Sequence, residues 1–154
     1  MGEERTDSMI KCVCLVVWKA DRLLLVQSRN RQKYYFPGGK IDAGESQQEA
    51  LVREIDEELG VHLKPDQLHY HSTVVGPAYP QKDMETELNC YTTSSDIDWE
   101  TIHPQSEVTD LEWMAVDDTE RIAPAVLKWL EHIDVIGEKD DEVSTLQSKV
   151  GIEC

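Results

Sequence analysis

The chain has no long apolar run. Its longest, residues 12–18, is seven residues, whereas a membrane-spanning helix needs roughly 20. The opening residues MGEERTDS carry no basic flank followed by an apolar core, so no secretory leader is expected. The expectation is a cytoplasmic protein without a membrane partner. Basic residues are scarce: 15 Lys and Arg stand against 31 Asp and Glu, a formal net charge of −16. Phosphate backbones repel such a surface, which argues against duplex nucleic acid as a partner. A small phosphorylated substrate stays compatible with it where cations bridge acid to phosphate. Cysteine is sparse as well. Cys12, Cys14, Cys90 and Cys154 include no CxxC pair, so neither a disulfide framework nor structural zinc has support. Reduced thiols fit best.

What is present suits one globular domain. The 154 residues are 40% hydrophobic, enough for a single packed core. Residues 1–8 read as an N-terminal extension, 9–137 as the domain and 138–154 as an acidic tail. Residues 9–18 are rich in β-branched and apolar side chains and predict a strand, with Arg22–Ser28 as its hairpin partner across a turn at residues 19–21. Residues 34–36 predict a short aromatic strand stopped by a tight turn at Pro37-Gly38-Gly39. Ser46 and Glu49 form a capping-box signature that opens a helix over Gln47–Leu59, and Gly60 supplies its left-handed stop. Residues 68–75, 86–93 and 111–116 predict further strands. Pro124 opens a closing helix ending at Gly137. Strands, helix, strands and helix in that order imply a mixed sheet with helices on its faces.

The first helix carries the chemistry. At 100° per residue, Leu51, Val52, Ile55 and Leu59 share a core-facing arc, and Glu54, Glu57 and Glu58 share another of about 100°. Like charges three or four residues apart cost roughly 0.2–0.5 kcal/mol per pair. Anions in the last helical turn cost roughly 0.3–1 kcal/mol each. The sum opposes folding by about 1–2 kcal/mol, with nothing nearby in the sequence to offset it. A divalent cation would supply the offset, since Mg²⁺ takes carboxylates together with phosphate oxygens. Residues 22–40 hold Arg22, Arg29, Arg31, Lys33 and Lys40 and no acid, which suggests a phosphate-binding strip beside the carboxylates. A rival loop is weaker: Asp96, Asp98, Glu100 and Glu107 have the spacing of a calcium-binding loop, but Thr101 stands where that loop needs glycine.

Gly39, then Glu45, then Arg53-Glu54-Ile55-Asp56-Glu57-Glu58-Leu59-Gly60-Val61 supplies nine specified positions over 23 residues. The segment resembles a complete Nudix box, preceded by the FPGGK approach common in MutT-like members. The resemblance implies an α/β/α sandwich with a central mixed β-sheet. It also implies an enzyme that hydrolyses a nucleoside diphosphate linked to a group X with Mg²⁺ or Mn²⁺. Carried over by position, Glu54, Glu57 and Glu58 would bind metal together with a carbonyl of Gly38 or Gly39. Arg53 would orient these carboxylates, with Glu45 as its partner. An acid ahead of the last strand completes many such sites, and Glu107 is the candidate here. Arg29 and Lys40 are candidate phosphate contacts. Tyr35, Tyr79 and Trp113 are candidates to stack on a base.

Substrate markers downstream of the box disagree. Pro77, sixteen residues past Val61, resembles ADP-ribose hydrolases, and Tyr79, eighteen past, is near a position associated with diadenosine polyphosphate hydrolases. ADP-ribose members usually add an N-terminal dimerising region, and here the first strand is expected near Met9. The favoured expectation is therefore a compact MutT-like enzyme acting on a nucleoside triphosphate, standard or oxidised, as a monomer or homodimer. ADP-ribose or another nucleotide-sugar or dinucleotide is the alternative. A catalytically silent nucleotide sensor is the alternative of a different class, although such domains typically lose box glutamates and this chain keeps them all.

Overall fold

A computed structural model describes residues 9–29, 32–78, 83–105 and 107–133. In chain order the elements are β1 (Met9–Leu15), β2 (Trp18–Lys19), β3 (Arg22–Ser28), β4 (Gly38–Lys40), α1 (Gln47–Leu59), β5 (Leu68–Pro77), β6 (Glu85–Thr93) and β7 (Val108–Ala115). A second helix, α2, is described over residues 124–133. One sheet runs β4-β1-β6-β5 and the other β2-β3-β7. β1 pairs in parallel with β6, from Met9 opposite Glu85 to Leu15 opposite Tyr91, and antiparallel with β4.

Side-chain alternation divides the core into two layers. Val13 and Leu15 of β1 pack with Ala50, Leu51, Ile55 and Leu59 of α1. Cys14, on the opposite face, packs with Val126 and Trp129 of α2. The sheets lie between the two helices, giving the expected α/β/α sandwich. Cys12, Cys14 and Cys90 are free thiols, and the sulfurs of Cys14 and Cys90 are 3.3 Å apart between paired strands. Cys154 lies outside the described residues, as do residues 1–8 and the tail. No helix among the described residues is long and apolar enough to cross a membrane.

Local signals at α1 hold residue by residue. The Ser46 hydroxyl accepts from the Glu49 N–H at 3.0 Å, the Glu49 carboxylate accepts from the Ser46 N–H at 3.0 Å, and Gly60 closes the helix at φ +69°. Strand pairing differs from expectation. β1 makes no hairpin with β3. Only the two residues of β2 pair with it, across Ala20-Asp21, and the long partner of β3 is β7. The chain changes sheets at Val16 and Val17: the Val16 N–H donates to the Tyr91 carbonyl of one sheet, and the Val17 carbonyl accepts from Leu24 of the other.

The aromatic segment is not a strand either. Tyr34 and Tyr35 make only isolated bridges, to Ile122 and Val26. The strand forms at Gly38–Lys40, where a turn was expected. Glycine permits this because a Cβ on Gly38, at φ +142°, would lie 2.1 Å from the Val13 carbonyl oxygen, so a larger residue would push β4 off β1. On β5 the pairing slips between Tyr70 and Ser72. This bulge turns the Ser72 hydroxyl toward α2, where it accepts from the Trp129 indole N–H at 2.9 Å.

Leu59 is 2% exposed on the buried stripe of α1. Leu59→Ala is expected to destabilise the fold by about 2–5 kcal/mol, through lost burial and a residual cavity. Urea titration measures this, and an unchanged midpoint would mean that the helix faces are reversed.

Candidate active site

The carboxylates of α1 meet the edge of β4. Glu58 accepts from the Gly38 N–H at 3.1 Å. Burial pushes its carboxyl up to about 8, the Gly38 N–H opposes that shift, and repulsion from Glu54, Glu57 and Glu107 adds to it. The Glu54 side chain is 16% exposed against 54% for Glu57. Burial raises the Glu54 carboxyl as well, countered in part by Arg53. The absence of a Cβ on Gly39 makes room for Glu54, since an added Cβ would lie 2.5–2.7 Å from its carboxylate atoms.

Arg53 holds this group together. Its Nε and Nη2 donate to the two carboxylate oxygens of Glu45 at 2.7 and 2.9 Å, a bidentate pair. Its Nη1 donates to Glu54 at 3.0 Å and lies 3.7 Å from Glu57. Its Nη2 also reaches the Lys40 carbonyl at 3.2 Å. The guanidinium pulls Glu45 down to about 2, and Glu45 in turn raises Arg53 above its ordinary value. The repulsion on α1 is therefore offset in part from within the chain, through the Arg53–Glu45 pairing that the resemblance implies and that helix spacing alone does not show. The pairwise spacing rule misses it because it comes from Arg53 beside Glu54 and is anchored by Glu45 ahead of the helix.

A cavity of about 570 Å³ opens beside this group. Glu54, Glu58, Glu107, Gly38, Gly39 and Lys40 line its polar end. Phe36, Leu88, Ala125 and Val126 line the apolar remainder, on the sheet face covered by α2. Tyr35 also stands in the wall. It is fixed by paired backbone hydrogen bonds with Val26 at 2.8 and 2.9 Å. Tyr34 next to it ties to the far wall, donating to the Arg121 carbonyl at 2.7 Å and accepting from Ala123 at 2.8 Å.

The NUDIX domain family model matches residues 10–133. The chain belongs to the Nudix family. It is 30% identical over 129 residues to the NAD-capped RNA hydrolase NudC of Vibrio parahaemolyticus, covering 80% of this chain and 46% of that protein. It is 39% identical over 66 residues to the human 8-oxo-dGDP phosphatase NUDT18, covering 38% of this chain and 20% of that protein. The chain thus spans less than half the length of these two curated relatives. Its fold is similar to the solution structure of the Escherichia coli ORF135 protein, with a TM-score of 0.59 and 25% identity over 84% of this chain and 91% of that one. It is also similar in fold to a Methanosarcina mazei MutT protein, with a TM-score of 0.61 and 15% identity over 86% and 95% of the two chains. Nudix hydrolases generally use a divalent metal.

The residues of this Nudix domain suit such an ion. Glu54, Glu58 and the Gly38 and Gly39 carbonyls are hard oxygen donors. A buried carboxylate crowded by other acids is a charge that a cation would stabilise. Among the described residues no three His, Cys, Asp or Glu side chains converge to hold a metal as they stand. Glu54 leans on Arg53 and Glu58 on Gly38.

The fold does not gather every candidate. Glu57 points from the same helix face without lining the cavity, and Arg29 is paired to Glu107 at 2.7 Å. The basic strip disperses: Arg22 donates to the Trp113 carbonyl and Lys33 to the Glu120 carbonyl. Alternation along β3 and the separate course of residues 32–36 send these cations to different surfaces. Trp113 stands against Lys19, 5.4 Å from its ring centroid, and does not line the cavity. Arg31 and Tyr79 lie outside the described residues. Sequence reasoning missed the apolar wall, whose members come from separate elements and share no motif.

The Glu58 environment has a consequence for stability. Its carboxyl titrates near 4.5 in the unfolded chain and about 8 in the folded one, so the folded state binds the extra proton between those values. Stability should be greatest below that window and fall as pH rises through it. Calorimetry in chelator is expected to show Tm declining over this range, with a flatter profile for Glu58→Gln. A wild-type Tm that rose across the window would contradict the burial of this carboxylate.

Proposed function

We propose that this domain hydrolyses a phosphoanhydride bond in a nucleoside diphosphate linked to X, with a nucleoside triphosphate, standard or oxidised, as preferred substrate. The observation that carries the reading is the two-ended cavity, with carboxylates and glycine backbone at one end and apolar side chains at the other. Its volume suits a small ligand. An acidic wall cannot face a polyphosphate unaided, and Glu54, Glu57, Glu58 and a carbonyl of Gly38 or Gly39 would hold Mg²⁺ or Mn²⁺ there. Bound metal would activate the attacking water and offset charge on the departing phosphate.

The protein's own groups do the rest. Arg53 keeps Glu54 and Glu57 oriented and limits their repulsion without touching substrate. Glu107, which lines the cavity from the segment ahead of β7, takes a proton from the attacking water. Lys40 meets phosphate oxygens, and the Tyr35 ring and the apolar wall receive the base. A nucleotide-sugar or dinucleotide substrate is a second reading. It draws on Pro77, which lines the cavity, and on the likeness to an NAD-capped RNA hydrolase over 80% of the chain.

Purified protein with Mg²⁺ or Mn²⁺ and a panel of nucleoside triphosphates, ADP-ribose and dinucleotides, with the products identified, tests the proposal. Nucleoside triphosphate is expected to give the highest kcat/KM, and Glu57→Gln to lower kcat by roughly 100-fold or more. In chelator that variant should melt close to wild type, because relief of repulsion is set against loss of the Arg53 contact. Faster release of AMP and ribose phosphate from ADP-ribose would favour the second reading. Tight nucleotide binding with no turnover would make the domain a sensor.

A further inference from the structure

Among the described residues Glu107 is the one carboxylate lining the cavity that does not come from α1, and it is flanked by contacts on both sides. On the helix side, the Gln105 N–H donates at 2.8 Å to the Glu58 carbonyl, a last-turn acceptor that the helix itself leaves without a partner. The Gln105 side chain lies over Gly60, where a Cβ would come within 2.4 Å of its Nε2. On the strand side, the β3–β7 register slips between Gln27 and Ser28, leaving Ser28 opposite Val108. Arg29 follows at φ +40°, a conformation that residues with a side chain seldom adopt. In it the Arg29 N–H donates to the Glu107 carbonyl at 3.2 Å, and the guanidinium Nη2 sits 2.7 Å from the Glu107 carboxylate.

We propose that Arg29 is a positioning residue for Glu107, not a contact to substrate phosphate. The inference rests on the reading of the acidic end as the site of phosphate hydrolysis. Main chain and side chain of Arg29 both engage the same glutamate, which fixes backbone and carboxylate together. Both side chains of the pair are more than half exposed, and such pairs add little to stability, so removing Arg29 is expected to leave the fold intact. Ser28 and Glu107 line the cavity and Arg29 does not.

The test is a double-mutant cycle of Arg29→Ala and Glu107→Gln, followed by kcat and KM, by calorimetric binding of adenylyl imidodiphosphate with Mg²⁺, and by Tm. Arg29→Ala is expected to lower kcat about 10-fold and to leave analogue affinity within about twofold. It should change nothing further in the Glu107→Gln background. Arg29→Lys should recover part of kcat, because it restores the charge without the fork. Tm should stay at the wild-type value. Analogue binding weakened about 10-fold or more in both backgrounds would make Arg29 a phosphate contact and overturn the proposal. A kcat loss that adds to that of Glu107→Gln, or that tracks a fallen Tm, would overturn it too. Failure of the underlying reading looks different: Glu58→Gln would then leave both kcat and analogue affinity intact.

Discussion

Glu58 places a partly buried carboxylate against the backbone N–H of a strand edge, with Glu54, Glu57 and Glu107 near enough to repel it. One neutral donor from Gly38 does not satisfy an ionised carboxylate in such a place, so the group holds its proton far above the usual carboxylate range. Much of the surrounding structure follows from accommodating it. Gly38 and Gly39 allow β4 to run close to β1 on one side and to the helix carboxylates on the other. Arg53 supplies positive charge to the same group and is locked by Glu45, which lies ahead of the helix. The ion-pair network is partly buried and multiply bonded, which distinguishes it from isolated surface pairs.

The sandwich determines what else can reach those acids. β1 and β6 run parallel through the middle, so one face of the sheet is closed by α1 and the other by α2. The glutamates come around the β4 edge from the α1 side, and the apolar part of the cavity lies on the α2 side. The result is a site with hard oxygen donors at one end and hydrocarbon at the other. A ligand combining a polyphosphate with a flat, weakly polar body matches that gradient, and the Nudix family supplies the chemistry that goes with it. Glu107 and Arg29 lie where the two sheets and the C-terminal end of α1 come together.

The features legible without coordinates are short-range ones. The capping box at Ser46, the stop at Gly60, the buried stripe of Leu51, Ile55 and Leu59 and the acidic face beside it depend on neighbours within four residues. The box spacing from Gly39 to Val61 is of the same kind, since Arg53 and its carboxylate partners sit on or just before one helix. The strand segments 68–75, 86–93 and 111–116 were legible too, from composition and alternation. Their partners were not. Alternation shows that a strand is half-buried without showing what it pairs with, so the hairpin expected between residues 9–18 and β3 gives way to β1 with β6 and β3 with β7.

The sequence by itself therefore determined the family, the metal-suited helix and its caps, because each rests on spacing along a single element. Only tertiary structure decided the rest. It scattered the basic residues of 22–40, paired Arg29 with Glu107, turned an expected Pro-Gly-Gly stop into an edge strand, and assembled the apolar wall from Phe36, Leu88, Ala125 and Val126. Each of these depends on contacts between residues far apart in the chain, and such contacts exist only once both helices have closed over the two sheets.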